Sequence, residues 1–83
     1  MIIGKVTGSI VATRKNEGLR GQKLMIVEIC EGMQSGMSKI VAIDNVGAGI
    51  GETVLVAVGS AAGKGCGLAG SPVDAAIVGI VDE

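Results

Sequence analysis

Three groups of residues have the types and spacing that could carry chemistry. Gly47, Gly49 and Gly51 follow an apolar run that ends in Asp44-Asn45, and alternate glycines after a strand invite a nucleotide-binding reading. Gly59-Ser60-Ala61-Ala62-Gly63-Lys64 has the outline of a phosphate-binding loop. Cys30 and Cys66 are the only thiols. Neither glycine segment meets its pattern. The dinucleotide fingerprint requires G-x-G-x-x-G, a following helix and an acidic residue about 20 residues on. Here the third glycine arrives one residue early, and Thr53 to Val58 is a short β-branched run with strand character. In the second segment the glycines stand too close for a P-loop, and Gly65 occupies the place of the magnesium-binding hydroxyl.

The cysteines lie far apart and form no C-x-x-C pair, so each reads as a small buried or half-buried thiol. Lys5 interrupts the first apolar residues and argues against a secretory leader, so a reducing compartment and free thiols are expected. With no His and no Tyr, most nucleophile–base and metal constellations are absent. No cofactor and no metal is expected, and the chain does not read as an enzyme. An acid–base pair built on Lys64 and a carboxylate has no support in the spacing.

The elements that position these residues follow from composition. The 83 residues make one domain, and a chain this small has a marginal core when alone. Hydrophobic residues make up 48%, with no Phe, Tyr or Trp. Ten Ile and eleven Val point to sheet, because β-branched side chains suit a pleated surface. So much apolar surface in so few residues predicts self-association. No apolar run is long enough for a transmembrane helix. The net charge of −1, with scattered charges of both signs, predicts no nucleic-acid or anionic-membrane partner.

Five strands are expected: Met1 to Thr13, bent or bulged at a glycine; Lys23 to Cys30; Lys39 to Ile43; Glu52 to Val58; and Asp74 to Asp82. Thr13 to Gln22 reads as a solvated loop, and Met33 and Met37 as flexible cover over an apolar edge. Asp44, Gly47, Gly49 and Gly51 read as a shape-defining turn, with positive φ expected at Gly49. The near-continuous apolar run from Ala75 to Val81 predicts burial on both faces, one of them against another subunit. Five strands in so small a chain suggest an OB-like barrel. Oligonucleotide binding on such a barrel relies on aromatic stacking and a basic groove, and both are missing. A module for a small anion or oligonucleotide is therefore the alternative reading.

Taken in order, the segments resemble one family. Gly4 to Lys15 looks like its opening strand followed by Thr-x-Lys; Leu19-Arg20-Gly21-Gln22-Lys23-Leu24 is similar to its Leu-x-Gly-x-Lys-Leu. Ile43-Asp44-Asn45-Val46-Gly47-Ala48-Gly49 matches its Asp-x-Val-Gly-Ala-Gly, Gly59-Ser60-Ala61-Ala62 its Gly-Ser-Ser/Ala-Ala, and Pro72 to Asp82 its closing strand. The chain thus resembles, along essentially its whole length, the EutN/CcmL family of pentameric vertex proteins of bacterial microcompartment shells. It departs from the pattern at Gly63, where an Arg often stands, and in a short loop between strands two and three.

The resemblance implies a five-stranded OB-like barrel assembling into a closed ring of five. Its function would be structural: to cap the vertices of a shell in the cytoplasm and give curvature to hexameric shell proteins. The last strand, at Ala75, Ile77, Val78, Ile80 and Val81, together with the first strand, would form the subunit interface. Ser60, Ala61, Ala62, Gly63 and Lys64, with Gly47 to Gly51 as a second candidate, would surround the ring axis.

Overall fold

The computed structural model describes residues 1–11, 21–30, 39–59 and 74–82. Within them lie five strands: β1 (Ile2–Ile10), β2 (Lys23–Ile29), β3 (Lys39–Asp44), β4 (Thr53–Val58) and β5 (Ala75–Ile80). They close into one barrel in the order β1-β2-β3-β5-β4, with β4 returning to β1. This is the five-stranded barrel expected from composition. The first strand is shorter than expected: Val11 lies outside β1, and positions 12 and 13 lie outside the described residues.

The alternation of side chains explains the closure. In β2, Met25, Val27 and Ile29 are buried, while Leu24, Ile26 and Glu28 point outward. In β4, Val54 and Val56 are the inward pair. A period of two with β-branched residues on the inner face leaves no helical alternative for these runs. Among the described residues, the inner cluster gathers Val6, Met25, Val27, Val54, Val56 and Ile77 around the barrel axis. Full burial of an aliphatic side chain of this size stabilises by about 1.5–3 kcal/mol, and no aromatic ring is available to contribute more.

Every strand pair is antiparallel except β3–β5, which is parallel and pairs at Ile43↔Ala76 and Asp44↔Ile77. Two irregularities bend the sheet. The β1–β2 register shifts between Val6 and Gly8, leaving Thr7 as an extra residue. The β4–β5 register shifts between Leu55 and Val56, and Val78 is the residue skipped. Each bulge lies next to a strand glycine, as expected for strands that must curve. Gly4 has a separate reason: a Cβ there would lie 2.8 Å from the Glu28 carbonyl oxygen and would collide with the Val27 side chain. Only glycine lets β1 and β2 approach so closely.

The first half of β5 corrects an expectation. Ala75, Ala76 and Ile77 are all buried, but by the same chain. Ala75 and Ile77 belong to the inner core, and Ala76 packs with Ile43 in a second cluster on the outer face, flanked by Leu24, Ala57 and Val78. Both faces are apolar here because β5 runs between β3 and β4 under two separate clusters. No second subunit is needed to cover them.

Candidate functional site: the Asp44 turn and the free surface of β5

The turn from β3 to β4 is built on one carboxylate. Asp44 ends β3, and its Oδ1 accepts hydrogen bonds from the backbone N–H of Val46 at 3.0 Å and of Gly47 at 3.1 Å. This is the local side-chain-to-backbone bonding that makes Asp a turn initiator. Register places Lys23 of β2 directly opposite, with its Nζ 3.7 Å from Asp44 Oδ2. Oδ2 is buried and has no hydrogen-bond donor, so the Lys23 charge is its compensation. Burial pushes the Asp44 carboxyl up. The N–H groups of Val46, Ala48 and Gly47, together with the Lys23 ammonium, outweigh it and hold the group below its ordinary value.

The rest of the turn is pinned in the same way. Gly49 N–H donates to Glu52 Oε1, and Glu52 N–H donates back to the Gly49 carbonyl at 3.1 Å. Gly51 N–H donates to the Val6 carbonyl at 2.8 Å, and Val6 N–H to the Glu52 carbonyl at 3.0 Å, so the turn is latched onto β1. Ala48 is thereby inserted into the core. Positive φ occurs at Gly47 (81°) and Gly51 (93°) and not at Gly49, which corrects the expectation for that residue. Gly49 is constrained instead by space, because a Cβ there would lie 3.3 Å from Glu52 Oε1.

This geometry decides the chemistry of the turn. A phosphate cradle needs free backbone N–H groups converging on one point. Those of Val46, Gly47, Gly49 and Gly51 are already committed to Asp44, Glu52 and Val6. The turn therefore serves to shape the end of the barrel. Among the described residues no group of three or more potential metal ligands comes together. Cys30 is a free, half-buried thiol.

Of the proposed interface residues, Ala75 and Ile77 have no surface left to offer, since the subunit's own core contains them. Val78 and Val81 are half-buried and Ile80 is 37% exposed. The usable surface of β5 is thus its second half, which continues past the strand through a hydrogen bond from Val81 N–H to the Thr53 carbonyl at 2.8 Å. Ser60, Ala61, Ala62, Gly63 and Lys64 lie outside the described residues, as does Cys66. Lys23 and Glu52 were not legible as partners of the turn, because the first depends on strand register and the second on a fold-back of three residues.

The family model described as "Ethanolamine utilisation protein EutN/carboxysome" matches residues 1–82. The chain belongs to the EutN/CcmL family. This EutN/CcmL chain is 48% identical over 83 residues to the bacterial microcompartment shell vertex protein GrpN of Rhodospirillum rubrum, covering 99% of the chain and 93% of GrpN. It is 46% identical to the vertex protein EutN of Escherichia coli K12, covering 100% and 88%. Among solved structures it superposes on the pentameric microcompartment shell protein GrpN of Rhodospirillum rubrum with a TM-score of 0.84 at 46% identity, covering 100% of the chain and 95% of that structure. Against CcmL of Nostoc sp. PCC 7120 the TM-score is 0.87 at 43% identity, covering 99% and 89%. GrpN and EutN are named as microcompartment shell vertex proteins and CcmL of Nostoc sp. PCC 7120 as a carboxysome shell vertex protein, and none of these names is that of an enzyme.

Proposed function

We propose that the chain is a structural vertex protein of a bacterial microcompartment shell. Five copies form a closed ring, and the ring occupies a vertex among hexameric shell tiles in the cytoplasm. The observation that carries this is full-length similarity to proteins named shell vertex proteins, one of them solved and described as pentameric. Two features of the subunit support it. The turn with the most suggestive glycine pattern has its N–H groups spent internally, so a small-anion role gains nothing from it. Exposed apolar side chains such as Ile80 and Val41 suit burial between copies.

The function is then geometric. Flat hexagonal sheets do not close by themselves, and a ring of five inserted at a vertex supplies curvature. Such a ring is a head-to-tail assembly that closes by rotation, so no subunit needs a two-fold contact. Val78, Ile80 and Val81 form one side of that contact. Native mass spectrometry of the purified chain tests the reading: a mass of five subunits is expected, and a monomer overturns it. Co-production with a hexameric shell protein tests the vertex role. Closed polyhedra are expected with the chain present, and open sheets or tubes both with and without it overturn that role.

A further inference from the structure

We propose that the outer face of β2 and β3 around Ile26 and Val41 is the surface on which a second copy seats the end of its β5. This rests on the ring reading and deepens it. A head-to-tail ring needs two different patches on each subunit, and the end of β5 is only one of them.

The second patch follows from register. Ile26 pairs with Val41 on the outward face, where a small barrel ordinarily presents polar residues. Val41 is 48% exposed, the most exposed large apolar side chain within any of the five strands. On β1 the partner of Ile26 is Gly8, which the Thr7 bulge brings to the outer face. A Cβ at Gly8 would sit 3.6 Å from Ile26 Cδ1, so the isoleucine leans over a position without a side chain. The result is an apolar patch spanning three strands. The row beside it is charged: Lys5 pairs with Glu28, and Glu28 pairs with Lys39.

The end of β5 is complementary to this patch. Ile80 and Val81 present apolar side chains, and exposed Asp82 follows them. Lys39, two residues from Val41 on the same face of β3, supplies a charge opposite to Asp82. In the closed barrel order β3 lies next to β5, whereas β2 is two strands from it, so the two patches face different directions.

The test uses the intact chain. Val41→Glu alters a half-exposed side chain and is expected to leave a folded barrel by circular dichroism. Its pentamer should be lost in native mass spectrometry at concentrations where the original chain is fully assembled, a weakening of at least about tenfold. Lys39→Glu and Asp82→Lys should each weaken the ring, and the two together in one chain should restore it. A Val41→Glu chain that stays pentameric overturns the assignment and leaves the ring reading standing. If Val41→Glu does not fold, the charge pair decides, and a double variant no better assembled than the singles overturns the assignment. An unsubstituted chain that is monomeric overturns the ring reading, and this assignment with it.

Discussion

Removing the Asp44 carboxylate should loosen the turn without unfolding the barrel. Oδ1 accepts two backbone hydrogen bonds at 3.0 and 3.1 Å, and Oδ2 faces Lys23 at 3.7 Å. A hydrogen bond to a charged group contributes about 1.5–3 kcal/mol, but Val46 and Gly47 are exposed and water can replace the lost acceptor. Lys23 is well exposed, so its ion pair adds at most about 1 kcal/mol. Asp44→Ala should therefore cost about 2–4 kcal/mol in urea denaturation at fixed subunit concentration, and Asp44→Asn roughly half of that. The pH dependence separates the charge from the shape. The folded-state value is depressed, so the carboxylate's contribution is fully present above the unfolded value of about 3.9 and is lost as pH falls through the lower folded value. The stability of the parent chain should thus fall below about pH 4 more steeply than that of Asp44→Asn. Equal acid slopes for the two chains, or an Asp44→Ala cost under about 0.5 kcal/mol, would refute the assignment of the turn to this carboxylate.

Two glycine substitutions test other parts of the same frame. Gly51→Val places a β-branched residue at φ 93° and should cost about 1–3 kcal/mol in thermal or chemical denaturation, whereas Gly49→Ala should cost under about 1 kcal/mol because only the Glu52 side chain must shift; the reverse ranking would contradict the turn geometry. Gly4→Ala should cost about 1–3 kcal/mol by forcing β1 off the Glu28 carbonyl, read as a lower denaturation midpoint.

The strands were legible because each is a local run of β-branched residues, and four of them end within two residues of where the structure ends them. The Asp44 turn was legible for the same reason: Asp, Asn and glycine have local conformational preferences that need no partner. What escaped was non-local. That Lys23 faces Asp44 is a property of the β2–β3 register, which no spacing in the chain encodes. The way the glycines of the turn are used, with positive φ at Gly47 and Gly51 and not at Gly49, goes with the latch from Gly51 N–H to the Val6 carbonyl of β1. Burial on both faces was legible for Ala75 to Ile77 and does not extend to exposed Ile80, and a doubly apolar strand looks the same whether its second face meets its own chain or another.

If Ala75 to Val81 as a whole were interface, the ring would depend on a strand still looking for a partner, and folding and association would be a single event. The structure instead consumes Ala75, Ala76 and Ile77 in two clusters of the same subunit, with Val78 packed against the outer one and Ile80 and Val81 lying past it. The two halves of β5 are divided at the Val78 bulge, with the fold-forming half before it and the free half after it. Substitutions before the bulge, such as Ile77→Ala, should therefore lower subunit stability, by about 2–5 kcal/mol for a fully buried isoleucine. Substitutions after it, such as Ile80→Glu, should lower the oligomeric mass while leaving the barrel's circular dichroism unchanged. Loss of the barrel in Ile80→Glu would show that the strand is one cooperative unit and that the division at the bulge is wrong.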